Sequence, residues 1–347
     1  MAETTVYLIR HAEAEGNLYR RIHGYYDSNV TTNGLRQIAA LEARFRGIPV
    51  DAVYSSDLTR ACRTAMAVAD PKGLLIRRDP RFREISIGVW EDVPFGELEQ
   101  TDAQQLYNFN GAPRSWKVEG AEDYETYTDR FLSGLEEAVR ENAGGSIAIF
   151  SHGGVLSRSL SRLLPDACAG HSDNTAVTEL RYDGAWRLSG QNDNSHLSPE
   201  ISTLARQNWW RGDPTKVDHN LWFRPFEGEI DWYLELADDK IPVSPMASIQ
   251  FAMLGQKPVG LLQLDPERGR ESGYGSIDYL GLAPGYRCRE LGVQMIGCAV
   301  SYFRNLGRAA IRISVPEEYG RCTSFLTRDS FRPLSDGSYE KDIRVTL

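Results

Sequence analysis

Short apolar segments typical of buried strands alternate with helix-period segments through the first half of this chain. Strands are predicted over residues 5–9, 50–55 and 144–151, and helices over 32–46, 57–69, 123–141 and 155–164. Asp57 is predicted to cap the helix at 57–69. This alternation predicts an α/β domain with a mostly parallel sheet between two helical layers.

The pattern changes near residue 200. At roughly 150 residues per domain, a chain of 347 residues predicts two domains. We predict the domains over 1–200 and 216–347, with a linker over 201–215. The adjacent Trp209 and Trp210 are expected to pack between the domains or in an ordinary core.

Strand and helix patterns in the second half predict an α+β domain. Strands are predicted over residues 248–254, 259–264, 276–282 and 309–315, and a helix over 290–306. The helix lies between the last two strands, which predicts a β-α-β unit.

Composition excludes several classes of protein. No apolar run is long enough to span a bilayer, and a net charge of −9 argues against a chain that mainly holds nucleic acid by its phosphates. The five cysteines have neither paired nor metal-ligand spacing, so disulfides and metal sites are not expected. The N-terminus lacks the pattern of a signal peptide, and we expect a cytoplasmic protein without a membrane partner. An anionic ligand would need a local positive site.

Cationic side chains follow the predicted strands of the first half. Arg10 and His11 end the first strand, His152 ends the third, and Arg60 lies in the helix after the second. Because ligands of open α/β sheets bind at the carboxyl ends of strands, we expect these side chains to share one pocket. Arginine forks suit phosphoryl oxygens, and a histidine can attack phosphorus. Glu84 is the candidate proton donor for the leaving oxygen.

Four segments of the first half carry a family resemblance. They are LIRHAEAEGN at 8–17, SSDLTRACRTA at 55–65, REISIGVWE at 83–91 and SHGGV at 151–155. In this order they resemble the motifs of the histidine phosphatase superfamily, also called phosphoglycerate mutase-like, over about residues 1–197. An isolated Arg-His pair or a lone glutamate is more typical of a solvated surface, so the joint arrangement carries the prediction.

The resemblance implies a metal-independent, cofactor-free enzyme that acts on a small-molecule phosphomonoester. It implies His11 as nucleophile and Glu84 as proton donor, with phosphoryl oxygens held by Arg10, Arg60 and His152. Nearby cations should keep the His11 ring neutral. Asn17 and Arg21 match secondary positions near the pocket. Ala12 replaces the usual glycine of the first motif, which is expected to tighten the backbone approach without removing the chemistry.

Hydrolysis and mutase-type transfer would use the same residues. Only 68 positions separate Glu84 from His152, which resembles the smaller phosphatases more than the cofactor-dependent mutases with their larger insert. We therefore predict a phosphatase, with a phosphoglycerate mutase-type transfer as the alternative.

The segment SIDYLGLAPGYRCRELGVQMI at 276–296 resembles the central strand, turn and helix of the GNAT N-acetyltransferase superfamily. The resemblance implies acetyl-CoA, or another acyl-CoA, bound through backbone N–H groups at the helix N-terminus, with an amine as acceptor. The candidate cofactor contacts are Leu282, Arg287, Arg289, Leu291, Gly292 and Val293.

The second half departs from that family at the residues that matter most. Glu290 replaces the first glycine of the turn, and its carboxylate would repel a pyrophosphate. Leu326 aligns where many members carry a tyrosine acid, and Tyr319 where an asparagine often lies. The alternatives are therefore an acyl-CoA-binding or assembly module without chemistry, and a helix start whose two arginines are simply solvated.

Overall fold

The computed structural model describes residues 2–166, 170–207, 219–237, 247–287, 289–316 and 323–347. These residues form two sheets, one of six strands in the N-terminal domain and one of seven in the C-terminal region. The first sheet ends at Asp193 and the second begins at Trp222. Trp209 and Trp210, whose packing was predicted, lie outside the described residues.

The first sheet is mixed. Its strands are β1 (Thr4–Arg10), β2 (Ala52–Ser55), β3 (Ile76–Arg78), β4 (Ser146–Ser151), β5 (Val177–Tyr182) and β6 (Trp186–Asp193), in the order β3-β2-β4-β1-β5-β6. The pairs β3/β2, β2/β4 and β4/β1 are parallel, and β1/β5 and β5/β6 are antiparallel. The predicted α/β architecture is confirmed, and its parallel part brings the carboxyl ends of β1, β2 and β4 to one edge.

Helices cover both faces of this sheet. They are α1 (Glu15–Tyr19), α2 (Thr32–Phe45), α3 (Thr59–Lys72), α4 (Phe95–Thr101), α5 (Ala103–Gly111), α6 (Tyr124–Glu141), α7 (Gly153–Leu163) and α8 (Thr203–Arg206). Because side chains alternate along a strand, Leu8 joins the core formed with α6 and α7, while Ile9 joins the core formed with α2 and α3. This is the predicted three-layer arrangement.

The predicted cap of helix α3 was wrong. The helix begins at Thr59, and the carboxylate that accepts its first N–H at 3.0 Å belongs to Asp27. Asp57 instead accepts from Arg83 Nε at 2.7 Å. An ion pair with a distant arginine therefore overrides the local capping preference.

The second sheet consists of β7 (Trp222–Pro225), β8 (Ser248–Leu254), β9 (Lys257–Asp265), β10 (Tyr274–Leu282), β11 (Ala310–Ser314), β12 (Arg332–Pro333) and β13 (Ser338–Asp342), in the order β12-β13-β11-β10-β9-β8-β7. The helices are α9 (Ile230–Leu236), α10 (Leu291–Asn305) and α11 (Thr323–Arg328). Strands β10 and β11 are parallel and α10 connects them, as the predicted β-α-β unit requires. Among the helices of the described residues, none combines the length and apolar character needed to cross a bilayer.

Helix α1 joins the two parts of the molecule. Its last residue, Tyr19, is 3% exposed and belongs to the hydrophobic core of the C-terminal region. The Tyr19 hydroxyl donates to Asp329 at 3.2 Å. A Cβ atom built at Gly297 of α10 would lie 2.4 Å from Tyr19 Cβ, so glycine is needed for this close approach.

Candidate active site

Three parallel strands deliver polar side chains to one edge of the first sheet. The His11 N–H donates to the carbonyl of Ser151 at 2.9 Å, just beyond the ends of β1 and β4. The Ser56 N–H donates to the carbonyl of Phe150 at 2.9 Å, just beyond β2. Register therefore brings His11, Ser56 and His152 together, as expected for the carboxyl edge of parallel strands.

The His11 ring is held as a neutral base. It is 7% exposed, and its Nδ1 lies 2.7 Å from the Ala12 carbonyl oxygen. Because a carbonyl only accepts, Nδ1 carries the proton and Nε2 keeps its lone pair. Burial lowers the pKa of His11 well below its usual value, and the charges of Arg60 and Arg10 lower it further. The predicted effect of the arginines is present, with burial as the larger cause.

His152 faces His11 with its ring centroid 5.0 Å away. Its Nε2 lies 2.9 Å from Ser56 Oγ, and burial followed by the charge of Arg60 lowers its pKa well below the usual value. The buried Nδ1 atom has no hydrogen-bond partner within the described part of the chain. A neutral ring that accepts the Ser56 hydroxyl at Nε2 has a proton at Nδ1 to give to a ligand oxygen.

Arg10 and Arg60 supply the positive charge. Arg10 donates through Nη1 to the Ser172 carbonyl, while its buried Nε is unpartnered among the residues the structure describes. Arg60 is 1% exposed, and its Nη1 and Nη2 donate to the carbonyls of Tyr26 and Gly24 at 2.9 and 2.7 Å. Because a buried donor without a partner costs about 1–3 kcal/mol, Arg10 Nε and His152 Nδ1 favour a ligand with oxygen acceptors.

Glu84 lies at the N-terminus of α7. Its carboxylate oxygens accept from the N–H groups of Gly154 and Val155 at 2.9 and 2.7 Å. A Cβ atom at Gly154 would lie 2.8 Å from Glu84 Oε1, and one at Gly153 would lie 3.1 Å from Arg10 Nε. The glycine pair of the SHGGV segment thus leaves room for both side chains, and the structure brings together Arg10, His11, Arg60, Glu84 and His152.

The two predicted secondary residues, Asn17 and Arg21, differ in whether they reach the pocket. Asn17 Oδ1 accepts from Asn174 Nδ2 at 3.3 Å, and the same amide group donates to the His11 carbonyl at 2.9 Å. Asn17 is therefore linked to the pocket backbone. The structure does not bring Arg21 to this group: its Nε pairs with Asp92 at 2.7 Å and its Nη2 donates to Ser301 at 3.2 Å. These acceptors come from distant parts of the chain.

Sequence reasoning missed several residues that hold the site. Ser56 lies within a quoted motif but was given no role. Arg130 donates to the carbonyls of Arg83 and Glu84 at 2.9 and 2.6 Å and pairs with Glu122 at 2.8 Å, which fixes the loop that carries Glu84. No local pattern distinguishes Arg130 from a solvated arginine of an amphipathic helix.

The six candidate cofactor contacts surround the start of α10 but have different environments. Leu291 is 1% exposed and lies in the core, and a Cβ atom at Gly292 would lie 3.3 Å from the Phe325 ring. Arg287 Nε donates to the Leu282 carbonyl at 2.8 Å. The remaining two are the half-buried Val293, which packs against the core, and Arg289, whose guanidinium lies 5.8 Å from the Tyr286 ring centroid.

The structure also describes two of the three positions at which the sequence departs from the N-acetyltransferase motifs. Glu290 precedes α10 with φ 57°, and its Oε1 lies 3.3 Å from Arg206 Nη2. Leu326 is 2% exposed and is a core residue. Tyr319 lies outside the described residues. Within those residues, no group of three or more histidine, cysteine or acidic side chains is arranged to hold a metal ion.

The site thus combines a neutral imidazole nitrogen, the buried Arg60 guanidinium, the partly buried Arg10 guanidinium and the Glu84 carboxyl, a set of groups that suits phosphoryl oxygens. Residues 6–194 match the family model described as Histidine phosphatase superfamily (branch 1), and the chain belongs to that family. The match covers the whole of the first sheet except the first residues of β1.

Named relatives are similar to a little over half of the chain. A Yersinia pestis (strain Pestoides F) protein called probable phosphoglycerate mutase GpmB is 30% identical over 214 residues, which cover 58% of this chain and 99% of that protein. Bacillus stearothermophilus YhfR superposes with a TM-score of 0.54 at 29% identity, covering 56% of this chain and 100% of the other. A mycobacterial glucosyl-3-phosphoglycerate phosphatase shares the fold, with a TM-score of 0.51 at 22% identity over 55% of this chain and 100% of its own.

Proposed function

We propose that the N-terminal domain is a phosphatase that hydrolyses a small-molecule phosphomonoester through a phosphohistidine at His11, without a metal ion. The observation that carries the proposal is the neutral Nε2 of His11 beside two buried donors, Arg10 Nε and His152 Nδ1, that lack partners in the described residues. Three phosphoryl oxygens would supply the missing acceptors.

In the first step, the His11 Nε2 lone pair forms a bond to phosphorus while the bond to the leaving oxygen breaks. Protonated Glu84 gives its proton to that oxygen, so the leaving group departs as an alcohol. Arg10, Arg60 and His152 stabilise the charge that spreads over the equatorial oxygens in the in-line transition state.

In the second step, water attacks the phosphorus and the nitrogen–phosphorus bond breaks. Glu84, now a carboxylate, takes the proton from that water, which returns the carboxyl to its starting form and releases inorganic phosphate. His11 Nε2 recovers its lone pair. The hydrogen bond from Nδ1 to the Ala12 carbonyl keeps the ring in one orientation through both steps.

The test is phosphate release from an aryl phosphate by the full chain and by His11→Ala. We expect the substitution to lower kcat by at least about 10³-fold, since it removes the nucleophile. The wild-type enzyme should also form an acid-labile phosphoprotein. His196→Gln is the matched histidine control, because His196 bonds to Thr175 and Arg44 rather than facing the pocket. Undiminished turnover by His11→Ala would reject the assignment.

Mutase-type transfer is the alternative, and the name of the Yersinia pestis relative supports it. In that reaction a substrate hydroxyl, instead of water, takes the phosphoryl group from His11. Transfer between phosphorylated hydroxy acids with little free phosphate would identify a mutase, and stoichiometric phosphate release would identify a phosphatase.

For the C-terminal region, we propose an acyl-CoA-binding or assembly module of N-acetyltransferase type, with acyl transfer to an amine as the further possibility. Parallel β10 and β11 with α10 between them support the fold. The residues at the start of α10 fit the cofactor poorly, because Glu290 places a carboxylate there and Leu326 is a buried leucine. Calorimetry with acetyl-CoA tests this binding. If acetyl-CoA produced neither heat of binding nor a rise in the melting temperature, the acyl-CoA-binding proposal would be rejected.

A further inference from the structure

We propose that the C-terminal region is part of the phosphatase site, with Arg304 as a positioning residue that holds the Gly24–Tyr26 segment against Arg60. The proposal rests on the proposed function, which assigns Arg60 to the phosphoryl group. It gives the C-terminal region a role in the reaction that does not depend on any ligand of its own.

The Gly24–Tyr26 segment orients the Arg60 guanidinium. The carbonyls of Gly24 and Tyr26 accept from Arg60 Nη2 and Nη1 at 2.7 and 2.9 Å. The N–H groups of residues 24, 25 and 26 all donate to the Glu91 carboxylate, at 3.1, 2.7 and 2.7 Å. The segment thus wraps around one acid and points two carbonyls at the buried arginine.

Arg304 reaches this segment from α10. Its guanidinium forms a forked pair with Glu15, at 2.8 and 3.1 Å, and lies within electrostatic reach of the Tyr26 side chain. Its Nε donates to the Ile343 carbonyl at 2.5 Å, near the end of the chain. The two partners are almost fully buried, with side-chain exposures of 12% for Arg304 and 4% for Glu15. A single guanidinium therefore joins α1 to the C-terminal region, beside Tyr26.

A second contact fixes the start of the same segment. Ser301, one turn before Arg304 on α10, donates to Asp92 at 2.5 Å. Asp92 also accepts from Arg21 and His23, at 2.7 and 2.9 Å. The backbone that leads into Gly24 is therefore held by the same face of α10.

These contacts matter because Arg60 acts through orientation. A guanidinium fork binds two phosphoryl oxygens only when its plane is fixed, and loss of one carbonyl partner frees it to rotate. Arg60 is also the charge that most lowers the pKa of His11, after burial. Displacement of Arg60 should therefore weaken phosphate binding and raise the pKa of His11 together.

The experiment compares full-length Arg304→Ala and Arg304→Lys with the wild-type chain. Inorganic phosphate is the probe, both as an inhibitor of aryl phosphate hydrolysis and as a ligand in calorimetry. We expect Arg304→Ala to weaken phosphate binding about tenfold and Arg304→Lys less, because lysine keeps the charge but not the fork. The His11 ring signals in NMR should titrate at higher pH in Arg304→Ala.

Two further variants keep the proposal falsifiable. Tyr26→Phe removes the hydroxyl that meets Arg304 but keeps the carbonyl, and should weaken phosphate binding about threefold. Gln256→Ala removes a different contact between the two parts of the chain, the 2.9 Å hydrogen bond to Gln100. This variant should leave phosphate binding unchanged.

A folded Arg304→Ala protein with wild-type phosphate affinity would overturn the proposal. So would an equal loss in Gln256→Ala, which would point to a general effect of the interface. If Arg304→Ala does not fold, unchanged binding by Tyr26→Phe overturns it. A wild-type chain that neither hydrolyses aryl phosphate nor binds phosphate would overturn the proposed function together with this proposal, whereas an active but insensitive enzyme contradicts only the positioning role.

Discussion

Two helices of this protein begin beside candidate anion sites, and the two starts differ in construction. At α7, the glycine pair lets Glu84 approach the backbone, and the buried Arg10 Nε and His152 Nδ1 have no partner in the described residues. A bound anion could therefore accept hydrogen bonds from these two donors, one of which is charged and one neutral.

At α10, the corresponding position holds Glu290 in a left-handed conformation, with φ 57°. Its carboxylate lies 3.3 Å from Arg206, and the next residue, Leu291, is buried in the core. A helix N-terminus is thus not sufficient for an anion site. Small residues and unpaired donors are also needed, and the structure displays both at α7.

Among the tests of this comparison between α7 and α10, the largest expected effect comes from placing a methyl group at the start of α7. In Gly154→Ala the new methyl group would lie 2.8 Å from Glu84 Oε1 and displace this carboxyl, the proposed proton donor. We expect phosphate release from an aryl phosphate to fall about 10²-fold or more, the range for losing general acid catalysis. Gly47→Ala, where a Cβ atom meets nothing within 4 Å, is the control. Equal rates for both variants would show that the glycine is not required there.

The next effect tests whether α1 of the N-terminal domain and α10 belong to one folded unit. Tyr19→Ala removes a buried ring of α1 from the core that contains α10, and should lower the free energy of unfolding by about 4 kcal/mol. Denaturant titration measures it. Tyr107→Ala, at a side chain that is 69% exposed, should change stability by less than about 0.5 kcal/mol. Similar losses in the two variants would contradict the shared core.

A smaller effect is expected from making α10 resemble α7. Glu290→Gly removes the carboxylate and the left-handed strain, and should tighten acetyl-CoA binding about tenfold in calorimetry. Glu290→Gln keeps the strain and removes only the charge, so its affinity should be intermediate. Tighter binding by the wild-type chain, or no binding by any of the three, would reject an acyl-CoA site at α10.

The smallest effect concerns pH and a histidine outside the pocket. Burial lowers the pKa of His196 to about 4, so the unfolded chain binds a proton below pH 6.5 that the folded chain does not. The free energy of unfolding should therefore fall as pH decreases from 6.5 towards 4, by about 1 kcal/mol at pH 5 after allowance for solvent screening. His196→Gln should lose this part of the dependence. The measurement is urea unfolding of both proteins at several pH values. If their free energies of unfolding changed with pH in parallel, the prediction for His196 would be wrong.

Parts of the site could be predicted because their information is local. Arg10, His11 and His152 follow apolar strands directly, and Arg60 lies in a quoted motif, so strand prediction alone brings them to one edge. Arg21 follows His11 by only ten residues, yet its side chain does not join this group. Its partners are Asp92 and Ser301, which are distant in sequence. The cap predicted at Asp57 failed for the same reason, since Arg83 competes for that carboxylate.

The amino-acid sequence by itself determined two features of the N-terminal domain. It determined which segments become strands and which reactive side chains lie at the ends of those strands. Only the tertiary structure decided the tautomer of His11, the unpartnered donors and the packing of Tyr19 of α1 in the core of the C-terminal region. These features depend on burial and on contacts between residues up to about three hundred positions apart, such as Tyr19 and Asp329. Local periodicity carries no information about such contacts, because it records which face of an element is apolar and not what covers it.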